Sequence, residues 1–342
     1  MSSEGILPVG KLKPELLAAL LERYHTDDPR VIVGANIGED AAAIDMGDRY
    51  LVAKTDPVTF ATDQIGWYAV HVNANDLATR GATPRWFLAT ILLPQDQATA
   101  EQAEEIFRQI HLACRSLGIC VVGGHTEVSH DLRRPIVVGQ LLGEVEKDRL
   151  VTTKGAQVDD DVLLVKGIAI EGTALIAREC AATLRARGYP QAVISRLQGY
   201  LFDPGISVVR EAQLACRTVP VHAMHDPTEG GLAMGLYELA WAAGTGLAVQ
   251  GERIPVLPEC ASLCAEFGLD PLGTIASGAL VLAVAPTDTP RLLQAYAQAA
   301  IPCAVIGRVV PAEAGITLHE RGAVRNLPRF DQDEIARLYR GP

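Results

Sequence analysis

Apolar residues in this sequence come in short runs, and the runs alternate between two periods. Val31–Val33, Ala41–Ile44 and Tyr50–Ala53 are strand-like pieces separated by Gly, Asn and Asp. A helical stretch over Ile65–Arg80 follows, closed by Gly81 with Pro84 beyond it. The apolar run Trp86–Leu93 then ends at Pro94, and a second helix over Thr99–Leu117 stops at Gly118. Ile119–Val122 and Ile136–Glu144 read as further strands, and a short amphipathic helix over residues 14–25 precedes them all. Elements of this kind bury their apolar faces only in layers, so the expected class is α/β with an α+β flavour, helices covering one face of a sheet.

The alternation restarts after a polar stretch, Glu146–Asp161, which contains three consecutive aspartates. The boundary between two domains is placed there, giving an arm and helix over 1–30, a first domain over 31–150 and a second over 151–342. Expected in the second domain are strand Val162–Lys166, helices Ile170–Arg187 and Ser207–Ala215, strand Val219–Met224 and helix Leu232–Ala243. Strand Gly246–Gln250, helix Glu259–Phe267, strand Ala279–Ala285, helix Thr289–Ala299 and strand Cys303–Val309 complete it, with a last short helix over Phe330–Pro342. Aromatic residues make up only 5% of the chain, so aliphatic side chains must fill these cores.

Charge narrows the partners. There are 41 acidic and 30 basic residues, a net charge of −11, and no Lys/Arg-rich run. Nucleic acid and anionic membrane are therefore poor partners, while a polyphosphate is accessible if metal ions bridge it to carboxylates. The seven cysteines form no CxxC pair and read as inert free thiols, which suits a reducing cytosol. The N-terminus carries no signal pattern, and no apolar stretch reaches the ~18 residues of a membrane span, so a cytoplasmic protein is expected.

Several motifs could carry chemistry. Gly5–Lys11 has the spacing of a phosphate-binding loop, but Leu12 stands where Ser or Thr should hold magnesium and no strand precedes it. It reads instead as a glycine-rich arm able to bring Lys11 or Lys13 to a phosphate. Asp40 lies in a glycine-flanked turn, and Asp56 follows an apolar strand that Pro57 is expected to stop. Asn75 and Asp76 sit in mid-helix among small residues. There they need buried partners, which could be a metal, a nucleotide or backbone. Gly123-Gly124 reads as a turn after a strand, permitting close approach to a phosphate, and His125 and Glu127 share a face if the chain stays extended. Asp226 precedes Gly230-Gly231 at a helix start, where amides are open to an anion; Asp226 and Thr228 could instead cap the helix. Carboxylates at strand ends with glycine-rich turns suit ATP held through magnesium, a hard cation wanting oxygen ligands.

The order of these motifs resembles the AIR synthase superfamily, which includes HypE, thiamine-monophosphate kinase and selenophosphate synthetase. The matching residues are Gly38–Ala41, Thr55-Asp56, Asn75-Asp76 with Gly81-Ala82 and Pro84, Gly123–Thr126, and Asp226–Leu232. The resemblance implies a PurM-like two-domain fold whose N-terminal sheet forms a barrel with a second subunit. It implies a homodimer that uses ATP and Mg2+, with Asp40, Asp56 and Asp76 as metal ligands and Asp56, Asp76 and His125 in the chemistry. Lys11, Asn75, Gly123, Gly124, Thr126, Asp226, Gly230 and Gly231 would bind the nucleotide. The second half looks most like HypE, from Asp226 through Pro255–Pro258 to Gly278–Val284. HypE proteins end in a reactive cysteine, whereas this sequence ends Arg340-Gly341-Pro342, and His125 stands where they have aspartate. The reading is an enzyme that activates an oxygen-bearing acceptor by phosphoryl transfer, with an unknown small-molecule or protein acceptor and a maturation partner. The alternatives are a small-molecule kinase and a non-catalytic nucleotide-binding scaffold.

Overall fold

The structure is a computed structural model that describes residue 7 and residues 12–24, 26–35, 39–58 and 63–339. Lys11 and Gly38 lie outside the described residues. Helix α1 (Pro14–Arg23) comes first, followed by strands β1 (Val31–Val33), β2 (Ala42–Asp45) and β3 (Arg49–Val58). Helix α2 (Ile65–Thr79), strand β4 (Thr83–Pro94), helix α3 (Ala100–Leu117) and strands β5 (Cys120–Ser129) and β6 (Ile136–Glu146) complete the first half. The strands pair in the order β1-β2-β3-β6-β4-β5. Every pairing is antiparallel except β4 with β5, where α3 makes the crossover a parallel pair requires. Thr99 caps α3 by accepting from the Gln102 amide, and Gly118 ends it in the left-handed region.

The second half contains β7 (Asp161–Val165), helices α4 (Ile170–Glu179), α5 (Ala181–Ala186), α6 (Gln191–Gln198) and α7 (Val209–Thr218), and β8 (Ala223–His225). It continues through α8 (Gly231–Ala243), β9 (Gly246–Gln250), α9 (Pro258–Phe267), β10 (Leu280–Val284), α10 (Thr289–Gln298), β11 (Cys303–Val310), β12 (Ile316–Glu320) and β13 (Ala323–Asn326). The sheet order is β13-β12-β9-β11-β7-β10-β8. Leu163, Val165, Leu280 and Leu282 face a core shared with α2, α4 and α7. Val162, Leu164, Val281 and Ala283 face a second core built around α8. Coverage on both faces explains why β7 and β10 read as unbroken apolar runs.

The mixed α/β fold with two sheets is as expected. Four local readings are corrected. β3 does not stop at Pro57 but pairs through it with Val138 of β6; β2 ends opposite Ala53, so among the described residues that side of β3 has no strand neighbour there and a proline is tolerated. The Gly123-Gly124 pair is not a turn: β5 runs straight through it to Ser129. The expected helix over Ile170–Arg187 is two helices that meet at Cys180. At the C-terminus a 3-10 turn over Glu334–Tyr339 replaces the expected helix.

α2 is buried on nearly every side, lying between the first sheet and the helices of the second half. Two glycines of β6 permit this close packing. A Cβ on Gly139 would overlap Asn73 and the Ala69 carbonyl, and one on Gly143 would overlap Leu77. The helix is thereby fixed with Asp76 and Arg80 at the seam between the halves.

Candidate active site

The seam collects charge from five segments. Arg80 caps α2 and is fully buried. Its Nη1 donates to Glu39 Oε2 at 2.5 Å, and its Nη2 donates to Asp40 Oδ2 at 2.8 Å and to the Thr153 hydroxyl at 2.6 Å. The same Asp40 oxygen lies 3.0 Å from His225 Nδ1 at the end of β8, and His225 Nε2 lies 2.8 Å from Glu238 Oε2 of α8. Burial opposes ionisation of both Asp40 and His225, but each is the other's counter-charge. His225, Arg80 and Lys54 hold the Asp40 carboxyl below the usual carboxylate range, and Asp40 and Glu238 hold His225 well above the usual imidazole value. The result is a buried chain of alternating charge, Glu39–Arg80–Asp40–His225–Glu238.

A second group beside it is less well matched. Lys54 Nζ lies 3.0 Å from Asp76 Oδ2 and 3.3 Å from Asp56 Oδ2. Burial would lower the Lys54 value, yet Asp76, Asp56 and Asp40 together raise it. Asp76 is pushed up to about 7 by burial, with Lys54 pulling the other way and Asp56 and Asp40 adding to the rise. Asp226 is buried, and neither of its carboxylate oxygens has a hydrogen-bond partner among the described residues. Burial and then the charges of Asp76 and Asp40 push its carboxyl well above its ordinary value. One ligand atom each from Asp40, His225 and Asp226 falls within 4.8 Å of the others. Both nitrogens of His225 are already engaged, so the oxygens of Asp226 and the second oxygen of Asp40 are the groups open to a cation. Six carboxyls (Glu39, Asp40, Asp56, Asp76, Asp226, Glu238) face three cationic groups (Lys54, Arg80, His225) in this seam. Hard oxygen donors in negative excess suit magnesium.

The remaining site residues expected from sequence lie elsewhere or are already engaged. Asn75 donates from Nδ2 to the Ile206 carbonyl and accepts at Oδ1 from the Val208 amide, each at 2.8 Å. Of the three alternative partners expected for it, it has found backbone, and it ties α2 to the second half. The amide of Gly230 donates to Asp333 Oδ2 at 2.7 Å and that of Gly231 to the Thr228 carbonyl at 3.1 Å, so the start of α8 is satisfied from within the chain. Gly123, Gly124, His125 and Thr126 lie on β5, an edge strand exposed along nearly its whole length. Gly124 is required there because a Cβ would overlap the Ala89 carbonyl of β4. His125 Nε2 lies 3.1 Å from Glu127 Oε2, on the shared face expected of an extended chain. Sequence reasoning missed Glu39, Lys54, Arg80, Thr153, His225 and Glu238. Glu39, Lys54, Arg80 and His225 stand within the motifs singled out above, but none carries a signal of its own role.

Comparison with known proteins agrees with this architecture. Residues 38–145 match the N-terminal domain and residues 157–319 the C-terminal domain of AIR synthase related protein. Carbamoyl dehydratase HypE of Cupriavidus necator is 31% identical over 75% of this chain and 72% of its own length. A hydrogenase expression/formation protein of Methanocaldococcus jannaschii is 28% identical over 83% of both chains. Among solved structures, the hydrogenase maturation protein HypE in complex with ATP superposes with a TM-score of 0.70 at 22% identity, covering 96% of this chain and 97% of that one. The HypE–HypF complex gives 0.71 at 23% identity with 91% and 98% coverage, and AaThiL complexed with AMPPCP and TMP gives 0.70 at 20% identity with 92% and 94% coverage. With both halves matched in order and the HypE likeness extending over most of the chain, this protein belongs to the AIR synthase related family.

Proposed function

We propose that this chain is an ATP- and magnesium-dependent enzyme of the HypE-like branch, activating an oxygen-bearing acceptor by phosphoryl transfer at the seam around Asp76 and Asp226. The observation that carries the reading is Asp226, a buried carboxylate with both oxygens unpartnered beside two further aspartates. A buried charge left in that state is costly unless a ligand completes it. The family relatives named above include a carbamoyl dehydratase and ATP-site ligand complexes, which support the nucleotide. Asp226, Asp40, Asp76 and Asp56 would hold magnesium, which supplies charge neutralisation at phosphate oxygens. Lys54, 3.0 Å from Asp76 and 3.3 Å from Asp56, would be the cation that meets a phosphate oxygen beside them. Arg80 and His225 keep Asp40 in place, so the site is preorganised where charge develops. His125 on the edge strand is proposed to act near the acceptor, and the arm bearing Lys11 to close over the nucleotide. A HypF-like protein is the maturation partner that the likeness to the HypE–HypF complex favours.

The same reading includes a homodimer. Among the described residues β5 is an edge with no strand beyond it, and it exposes Val121, Val122 and Val128 at 47%, 51% and 57%. Exposed apolar edges are normally covered, and a second copy of the first sheet is the proposed cover. Light scattering on the wild type and on Val128→Lys reads this directly, with a monomeric wild type sinking the dimer.

The decisive experiment is an ATP titration with and without magnesium, followed by phosphorus NMR of the products. Magnesium-dependent binding with release of ADP and phosphate is the expected result, lost in Asp226→Asn. A stable phosphorylated small molecule would make the protein a kinase of the ThiL type. Absence of binding at millimolar ATP would overturn the reading and leave a scaffold.

A further inference from the structure

The acids of the seam are held in two ways. Asp40 is fixed through its side chain by Arg80 and His225, and Asp56 and Asp76 by Lys54. The Asp226 carboxylate has no hydrogen-bond partner among the described residues, so its aim is set by its backbone alone. That backbone leaves β8 at His225 and reaches α8 through Pro227, Thr228, Glu229 and a glycine pair. Gly230 and Gly231 both take left-handed φ, +80° and +65°. Glycine has the most conformational freedom to lose on being ordered. A loop with two of them aims a carboxylate only if something outside the loop fixes it.

The tether comes from a segment 103 residues further along the chain. Asp333 Oδ2 accepts from the Gly230 amide at 2.7 Å, and its Oδ1 accepts from the Ile275 amide at 3.2 Å. The Thr228 carbonyl accepts from the Gly231 amide at 3.1 Å and from the Ala276 amide at 3.3 Å. One carboxylate therefore ties the Asp226 loop to the segment 270–278, directly at Gly230 and again through the neighbour of Ile275. Bonds from backbone amides to an ionised carboxylate are about twice as strong as neutral ones. Asp333 is itself held in place. Its Oδ1 also accepts from the amide of the buried Ile335 at 2.9 Å. Phe330 lies against Gly273, where a Cβ would overlap its ring. Glu334 accepts from the Asp270 amide at 3.0 Å, and the Arg329 guanidinium stands 5.2 Å from the centre of the Trp241 ring. Residues 327–338 thus form a strap across the start of α8.

We propose that Asp333 is a positioning residue for the cation site: through the Gly230 amide it fixes the loop that aims the Asp226 carboxylate. The strap then belongs to the site without touching the cation. This rests on the reading of Asp226 as a magnesium ligand, though not on ATP or on the acceptor. Groups that orient a metal ligand count nearly as much as the ligand, and their loss lowers metal affinity about 10- to 100-fold.

Mn2+, a paramagnetic stand-in for magnesium, is titrated into the full chain and its binding read from the loss of the free-ion EPR signal. Asp333→Ala is expected to weaken Mn2+ about tenfold or more. Asp333→Asn must turn an N–H toward one of the amides it faces, and is expected to lose several-fold. Formate supplies the missing carboxylate, so it should restore the affinity of Asp333→Ala and leave the wild type unchanged. Amide hydrogen exchange in the segments carrying Gly230 and Ile275 should speed up in that variant and slow again with formate. Arg329→Ala frees the strap from Trp241 but keeps the amide contacts, and it is expected to bind Mn2+ as the wild type does. Cooperative thermal unfolding is the condition for reading each variant, and if Asp333→Ala does not fold, Asp333→Asn decides. Wild-type affinity in the deciding variant, a loss that formate does not restore, or the same loss in Arg329→Ala would overturn the proposal. A wild type that binds Mn2+ but no ATP sinks the nucleotide reading and leaves this inference standing. One that binds no Mn2+ at millimolar concentration sinks both.

Discussion

The two halves of the charged seam are built from the same residue types and differ in how fully they are matched. On the Arg80 side, every cation touches two carboxyls: Glu39 and Asp40 for Arg80, Asp40 and Glu238 for His225. On the Asp226 side, one lysine serves Asp56 and Asp76, and Asp226 has no hydrogen-bond partner among the described residues. A matched buried network holds segments in place, because removing any member strands its partners. An unmatched one stores a deficit that a cation can fill. The first half is therefore scaffold for the second, and substitutions in the two should move stability in opposite directions.

The largest effect is expected at Arg80. Arg80→Met preserves most of the volume and leaves Glu39 and Asp40 as buried charges without their cation. A loss of about 3–5 kcal/mol in urea unfolding follows from breaking a buried pair. A loss under about 1 kcal/mol would show that the network is not structural.

The opposite sign is expected at Asp226. Its folded value is raised, so the folded state holds the proton more tightly than the unfolded state and stability falls as pH rises above the ordinary carboxylate range. Asp226→Asn removes that penalty. The ligand-free variant should gain on wild type by about 1.4 kcal/mol for each pH unit above the ordinary carboxylate range until the folded carboxyl itself ionises, and it should lack the magnesium-dependent rise in Tm expected with ATP. A difference from wild type that does not change with pH would mean that Asp226 is solvated or partnered in the folded chain after all.

Much of this seam was legible because its carboxylates sit where strands and helices have no use for them. Asp40 is in a turn, Asp56 near a strand end, Asp76 in mid-helix and Asp226 between a strand and a helix. The compensating cations were not legible. Lys54 lies in an ordinary alternating strand, and its two partners become neighbours only once α2 is laid on β3. Arg80 and Thr153 are 73 residues apart, and nothing local marks their meeting. His225 and Glu238 meet because β8 and α8 fold back on one another across the Gly230-Gly231 start. Gly123-Gly124 misled for a related reason. The pair supports a close approach, as expected, but to the Ala89 backbone across an edge-strand bulge, not to a turn. The β12–β13 hairpin was missed because both strands are short and β13 is solvent-facing throughout, which leaves little hydrophobic alternation to read.

Two groups outside the network sharpen the comparison further, because burial shifts them in opposite senses. Glu171 accepts from the Ser277 amide at 3.2 Å and is pushed up to about 7, by burial first and in part by Asp333 and Glu229. Its folded value lies above its unfolded one, so its contribution worsens as pH rises from about 4.5 to 7. Glu171→Gln keeps an acceptor for Ser277 and should gain about 2 kcal/mol on wild type between pH 5 and pH 8. An unchanged difference across that range would mean that solvent reaches the carboxylate.

His71 gives the smallest effect and the opposite slope. Its folded value, about 3, lies below the unfolded imidazole value near 6.5, so the unfolded chain takes up a proton that the folded chain refuses. Stability from this residue is complete above pH 6.5 and is lost as pH falls toward 3. Near pH 5.5 the loss is about 1 kcal/mol, and His71→Phe should lack that part of the acid slope. Subtracting the variant's urea-unfolding profile from that of the wild type isolates the term from every carboxylate that titrates nearby. If the difference were flat from pH 7 to pH 5, the imidazole would already be exchanging protons with water in the folded state.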